Sequence, residues 1–492
     1  MSSADEPTPA PRRPPPAALV AAILVALTLV LIRERAGEVG LWAWDSYGRL
    51  QYIHDYQPGT WADGHLAYHG LMRLLMALGL ADRGAVVVET AVGAAGFLTL
   101  LWWICRRTAL SSRATWLVMI AATVGSPGLV ELYLTADDNV LDLPLLLGVF
   151  AMMAEAPRDR RDALRRGGLL GGLLAVAALT DVGLALLLLA PAIAAVVALA
   201  LRERLRAVGL AVATGVAVAL YYATHLLTGA KVALHELGAH LLAPEPPLLS
   251  LTRFAEYRNG ARAISLTPSL HLMRPPGWLR DALIGPLPIL LLALAAVLVG
   301  WLIRTRGAEL RAACRAHFAL VAVFAVAALA AYVYEPALIE GWDVLWVGAL
   351  FGLVLLLRSR PPRRVVGLII AMVALQGVGT VVAVTHHYGA AWADPTLERL
   401  RELGREVVAH NQAPVVLPTT TDRLIVIDLA RRVGDRVILL IDDGGPEPRY
   451  IRFDRFFEHP ISLDDARGLV RDKLPYVDPA ISSRARRAIG LP

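Results

Sequence analysis

Apolar and polar positions fall along this chain in long blocks rather than alternating residue by residue. Apolar stretches of roughly 14 to 22 residues recur near 16–32, 84–105, 114–132, 139–155, 167–180, 182–201, 207–227, 283–303, 316–333, 342–357 and 365–385. Each can cross or nearly cross a bilayer as a helix, so the pattern predicts a polytopic α-helical membrane protein with about eleven spans over 16–385. Two segments depart from it. Between about Trp42 and Leu80 the chain is too polar to span, yet Tyr68, Leu71, Leu74, Leu75 and Leu78 recur at helical spacing. That predicts one or two amphipathic helices lying on the outer leaflet, within a first outer loop 33–83. After Pro395 a helical pattern (Leu397, Leu400, Leu403, Val407) gives way to Val415–Leu417, a second helix ending near Gly434, and the strand-like run Val437–Ile441. This predicts a small α/β domain over 386–492, outside the membrane.

The arginines orient the spans. Counting spans in order places Arg106, Arg107 and Arg113 on the side of the N-terminus, together with the clusters 158–166, 202–206, 304–315 and 358–364. Basic residues accumulate in cytoplasmic loops, so agreement among five loops predicts a cytoplasmic N-terminus (1–15) and an extracytoplasmic C-terminus. Arg33 and Arg35 run against this, offset in part by Glu34 and Glu38. No small-x-small site follows the first apolar stretch, which predicts an uncleaved span rather than a signal peptide. The expected location is a bacterial inner membrane, with 33–83, 133–138, 228–282, 334–341 and the C-terminal domain facing outward.

Composition agrees. The 492 residues are 56% hydrophobic and 18% charged, with mean hydropathy +0.54, more apolar surface than a soluble core could use. The net charge of +6 resides in loop clusters, without a basic, aromatic-interleaved polar face, which argues against nucleic-acid binding. Cys105 and Cys314 adjoin arginines at the predicted cytoplasmic ends of different helices, and are expected to be reduced thiols without a disulfide.

The candidate chemistry lies in the outer segments. Trp42-Ala43-Trp44-Asp45-Ser46-Tyr47 sets a carboxylate among interfacial aromatics, where partial desolvation suits a general base or a cation ligand. An ordinary interfacial Asp beside an aromatic belt has the same signature. In Glu131-Leu132-Tyr133-Leu134-Thr135-Ala136-Asp137-Asp138-Asn139 two adjacent acids repel at a helix mouth, where one can be protonated, neutralised by a cation or used as an N-cap. Asp142 lies one turn deeper; an acid there costs about 2 to 3 kcal/mol on insertion scales, so it should face a cavity or a partner. Asp181 reads as a turn residue.

The loop 228–282 carries Lys231, Arg253, Arg258 and Arg274, cations suited to holding a phosphate, and equally to facing lipid headgroups. His235 and His240 are five apart, which does not fit the four-residue spacing of a helical zinc pair. Glu335 stands in the next outer loop, where it could line the same cavity, and Asp442-Asp443-Gly444-Gly445 reads as a turn. No phosphate-binding glycine loop occurs in the sequence, so ATP-driven work has no support.

Taken in order, these features resemble a family. A first span, Asp45 in an aromatic-rich loop, surface helices with His65-Leu66-Ala67-Tyr68-His69-Gly70-Leu71, and a short second loop ending in Asp137-Asp138 are similar to the integral-membrane GT-C glycosyltransferases. The likeness is to the bacterial branch of protein mannosyltransferases and aminoarabinose transferases. It covers roughly 15–230, including Gly171-Gly172-Leu173 and Thr180-Asp181. One departure is that Leu66 follows His65 where the family often has His-Pro.

The resemblance implies inverting transfer of a sugar from a polyprenyl-phosphate donor to a glycan, lipid or protein acceptor. Asp45 would be the general base, and Asp137 and Asp138 would orient the acceptor. A divalent cation (Mg or Mn) would be held by acids such as Asp45 and Asp137. Arg253, Arg258, Arg274 and Lys231 would face the donor phosphate, and Trp44, Tyr47, His65, His69 and Glu335 would line the acceptor cavity. Two other classes fit the same spans: a lipid or sugar flippase or secondary transporter, and a noncatalytic membrane scaffold.

Overall fold

A computed structural model describes residues 16–36, 64–80, 82–134, 139–232, 317–333, 343–392 and the strands and helices between 414 and 491, with isolated positions elsewhere. The chain divides into two compact units, Met1–Ile32 with Tyr56–His387, and Arg33–Asp55 with Tyr388–Pro492.

The first unit is helical: α1 (Pro16–Ala36), α2 (Leu66–Ala77), α3 (Asp82–Arg107), α4 (Ser112–Ala121), α5 (Pro127–Leu134), α6 (Asn139–Ala154) and α7 (Arg160–Thr180). A 3₁₀ segment (Val182–Leu189) leads into α8 (Ala190–Ala200), followed by α9 (Arg204–Thr228), α10 (Phe318–Val333), α11 (Asp343–Arg358) and α12 (Arg363–Trp392). Among the described residues five helical stretches are long and apolar enough to cross a membrane: Gly84–Arg107, Arg160–Thr180, Gly183–Ala200, Arg204–Thr228 and Arg363–Val382. Pro16–Ile32, Val140–Ala154 and Trp346–Arg358 are shorter apolar helices. Large apolar side chains point outward along several of them, Leu226 and Leu227 being more than four-fifths exposed, as suits a protein whose outer solvent is lipid.

The expected span 114–132 is not one helix. It breaks at 122–126 between α4 and α5, where Gly125 packs on Val373 and Pro127, which lacks a backbone N–H, opens α5. The buried Tyr133 hydroxyl donates to the Ala122 carbonyl at 3.0 Å, supplying a partner to a backbone group at the break.

Close helix contacts are made through glycines. A Cβ on Gly171 of α7 would stand 2.6 Å from the Ala213 carbonyl and 2.7 Å from Val216 Cβ of α9. One on Gly93 of α3 would meet the Val140 carbonyl of α6 at 2.9 Å, the same carbonyl that Pro144, four residues on, cannot satisfy. Together with Gly148 against Leu173, these contacts set the register: α3 parallel to α6, α6 antiparallel to α7, α7 parallel to α9.

The register sorts the polar residues to two ends. At one end, Glu155 beyond α6 pairs with Arg107 of α3 (2.9 Å) and Arg166 of α7 (2.8 Å). There too Arg206 of α9 donates to the Met153 carbonyl (2.9 Å) and lies over the Phe318 ring of α10. Arginines from clusters far apart in sequence thus share one end of the bundle. Cys105, near this end, is a buried free thiol.

The second unit contains a five-stranded sheet in the order β4-β3-β2-β1-β5, with β1 (Val415–Pro418), β2 (Val437–Ile441), β3 (Arg449–Asp454), β4 (Phe457–Ile461) and β5 (Tyr476–Val477). β1 runs parallel to β2 and β5, while β2, β3 and β4 are antiparallel neighbours. A small sheet region is therefore present in this part of the chain, and it is wider than the two runs legible in the sequence. Val416, Ile438, Leu440 and Tyr450 pack against α13 (Leu463–Val470) and α14 (Ser483–Ala488) through Ala466, Val470 and Ala485.

Helix α13 starts in a capping box, Ser462 accepting from the Asp465 amide while the Asp465 carboxylate accepts from Ser462. These bonds hold the Asp465 carboxyl below the usual range, so their stabilisation is present above the ordinary carboxylate pKa and is lost as pH falls through the lower folded value. In the full chain, Asp465→Asn should weaken amide-exchange protection of 463–470 near neutrality. The difference should shrink to nothing well below about pH 4.

Candidate functional site

At the end of the bundle opposite the arginines, polar side chains are buried. Glu89 and Thr90 stand on α3, two turns in from its start, and are 1% and 0% exposed. Thr90 donates to the Val86 carbonyl at 2.9 Å and its hydroxyl lies 3.1 Å from Glu89 Oε2. Asp142, in the first turn of α6, is fully buried and faces the protein rather than lipid, as its cost in a bilayer demands. α7 arrives antiparallel and ends here with Thr180 and Asp181. Asp181 turns the chain as expected: its Oδ1 accepts from the Gly183 amide at 2.6 Å, capping the 3₁₀ segment.

α2 lies against α3 and α7. Its inward face is Tyr68, His69 and Met72, while Leu74 and Leu78 are exposed. Of the stripe that suggested an amphipathic helix, Tyr68 is buried, Leu71 and Leu75 are half-buried, and Leu74 and Leu78 are exposed, so the most buried face is the one that carries the histidines. The reason is partners: His65, just before α2, donates from Nδ1 to the Thr180 carbonyl at 3.0 Å, a group at the end of α7. A carbonyl oxygen can only accept, so that bond requires a proton on Nδ1. His69 follows one turn on, its ring centroid 6.3 Å from that of His65 and 6.0 Å from Tyr68. His65→Ala should loosen the docking of α2 by about 1 kcal/mol, read as faster proteolytic cleavage near residue 64 in the membrane-embedded protein.

α9 closes the same end. His225 is buried against Tyr221 with ring centroids 4.4 Å apart, its Nδ1 donating to the Tyr221 carbonyl at 2.8 Å. Past the left-handed Gly229, Lys231 is exposed. The structure therefore brings His65 and His69 together and places Lys231 at the same end of the bundle. Trp44, Asp45, Tyr47, Asp137, Asp138, Arg253, Arg258, Arg274 and Glu335 lie outside the described residues, as do His235, His240 and Cys314.

No family model and no curated protein matches this chain. Glu89 and His225 belong to the site by position and escaped the sequence reading. Glu89 carried a signal, a lone acid a few residues inside the apolar run 84–105, whereas His225 ends an apolar run where an interfacial anchor reads the same way. Among the described residues no three His, Cys, Asp or Glu side chains converge as a metal-binding group.

Chemically, this end of the bundle holds carboxylates and imidazoles in a low-dielectric setting, with an exposed cation, Lys231, at the same end. Buried acids of this kind can accept a proton or hold a polar substrate group, and they interact strongly with charge that develops nearby.

Proposed function

We propose that this chain is an inverting GT-C-type glycosyltransferase that moves a sugar from a polyprenyl-phosphate donor to an acceptor at the outer face of a bacterial inner membrane. The observation that carries the reading is that buried His65, His69, Glu89 and Asp142 share one end of the bundle, the end opposite the arginines. The proposed topology has eleven spans with the N-terminus inside, so that this end faces outward. Asp45 acts as general base on the acceptor hydroxyl as the anomeric carbon is attacked. Asp137 and Asp138 orient the acceptor, with a divalent cation shared by Asp45 and Asp137. Lys231 and the arginines Arg253, Arg258 and Arg274 neutralise the negative charge that grows on the leaving phosphate. Trp44, Tyr47, His69 and Glu335 line the acceptor side, and His65 holds α2 in place.

The test uses the full protein reconstituted in proteoliposomes with a polyprenyl-phosphate sugar and lipid-extractable or peptide acceptors. Sugar appearing on an acceptor, lost on chelation if the cation is required, supports the reading. Movement of the donor across the bilayer without any transfer would replace it with a flippase, the class that buried charge in spans also suits. Neither transfer nor movement would leave a scaffold.

A further inference from the structure

The arginine-rich end holds a cleft that the proposed reaction does not use. Counting the solvent at its open mouth it has about 340 Å³ of space, and it lies where α7 and α9 pass the end of α6. Its floor is apolar, from Met153, Leu170 and Leu210, and its polar wall is Glu155, Arg166 and Arg206.

The two arginines differ. Arg206 is nearly fully buried and fixed, with Nη1 on Glu203 (3.3 Å), Nη2 on the Met153 carbonyl (2.9 Å) and its plane over Phe318. Arg166 is about a quarter exposed; its Nε donates to Asp162 (2.9 Å) and its Nη1 to Glu155 (2.8 Å), while Nη2 enters none of the hydrogen bonds among the described residues. An oriented guanidinium held by two carboxylates thus keeps one terminal nitrogen available. The bound acids offset Arg107, Arg166 and Arg206, and Asp159 caps α7, but exposed Arg158, Arg160, Arg161, Arg165, Arg202 and Arg204 at this end outnumber it. The rim is therefore attractive to an anion.

What kind of anion follows from the walls. On the same turns of α7 and α9, Leu164, Leu169, Leu205 and Val208 are exposed, so the ground beside the cleft is apolar. A soluble anion would gain nothing from that surface, whereas a headgroup phosphate carries acyl chains that cover it. We propose that this cleft binds the phosphodiester of an anionic phospholipid, Arg166 Nη2 donating to a phosphate oxygen and the acyl chains lying along the exposed leucines. The inference is independent of the glycosyltransferase reading.

The test is native mass spectrometry of the full protein in detergent, titrated with dioleoylphosphatidylglycerol or dioleoylphosphatidylcholine. The wild type should retain phosphatidylglycerol about tenfold more tightly than phosphatidylcholine. Arg166→Lys, which keeps the charge but lacks the second terminal nitrogen, and Met152→Trp, which crowds the lining without touching a charge, should each abolish that preference. Equal retention of the two lipids by the wild type would overturn the proposal. So would an unchanged preference in both variants, or displacement of the lipid by millimolar inorganic phosphate, which would point to a soluble anion.

Discussion

Gly171→Leu is expected to yield protein that inserts into the membrane but does not hold α7 against α9. The added side chain begins at a Cβ 2.6 Å from the Ala213 carbonyl and 2.7 Å from Val216 Cβ, and the first of these is backbone, which cannot swing away as a flexible side-chain tip can. Overpacking that side chains can absorb costs about 1 to 3 kcal/mol, and pushing two packed helices apart also forfeits the van der Waals attraction along their shared length. The helices also carry Arg166 and Arg206 at one end and Thr180 and His225 at the other, so both polar ends should loosen together. A fall in melting temperature of the detergent-solubilised protein of about 5 °C or more is the expected reading. Gly172→Leu is the control, because nothing lies within 4 Å of the Cβ position there. Equal behaviour of the two variants would show that the α7–α9 contact is not close-packed.

The second large effect concerns activity. On the proposed reaction, Asp45→Asn should lower sugar transfer by about 10²- to 10⁴-fold, the usual worth of a general base, while insertion and melting temperature stay unchanged. Asp142→Asn is a different experiment on the same reaction. Its carboxylate is fully buried in the first turn of α6, two residues before Pro144 and near the close approach of Gly93 to Val140, and its proposed part is to position the segment that precedes it. The expected outcome is a rise in KM for the acceptor together with a fall in kcat. If Asp142→Asn lost activity to the same extent as Asp45→Asn, with KM untouched, the roles assigned to the two acids would have to be exchanged.

Individual elements show how far the pattern of residues reached. α3, α6, α9 and α11 coincide closely with apolar stretches, because burial in lipid demands continuous apolar length and leaves little freedom in where a helix runs. The stretch 114–132 misled for a local reason: Gly125-Ser126-Pro127 interrupts backbone hydrogen bonding without interrupting hydropathy, and a hydropathy pattern does not register the difference. In the C-terminal domain Val415–Leu417 and Val437–Ile441 were legible because they are central and buried, with β1 and β2 paired in parallel. β3 and β4 were not, since Arg449–Asp454 and Phe457–Ile461 mix charged and apolar residues without regular alternation, and only their partners define their faces.

The histidines of α2 carry the same lesson at the candidate site. Tyr68 and the leucines at 71, 74, 75 and 78 make a helical stripe that predicts an amphipathic helix on the outer leaflet, and spacing alone does not say which residues turn toward the protein. In a protein bordered by lipid, however, leucine is as well placed outside as inside, and the groups that must be turned inward are those needing hydrogen-bond partners. His65 finds the end of α7 and His69 follows it.

The order of amino acids by itself determined that this chain is a mostly helical membrane protein with a small α/β appendage, because apolar length and arginine position are one-dimensional properties to which a bilayer responds directly. Tertiary structure alone decided that Glu89, Asp142, His65 and Thr180, scattered over more than a hundred positions, gather at one end while Arg107, Glu155, Arg166 and Arg206 gather at the other. That sorting depends on which glycine meets which carbonyl between neighbouring helices, a matter of a few tenths of an ångström that no periodicity records.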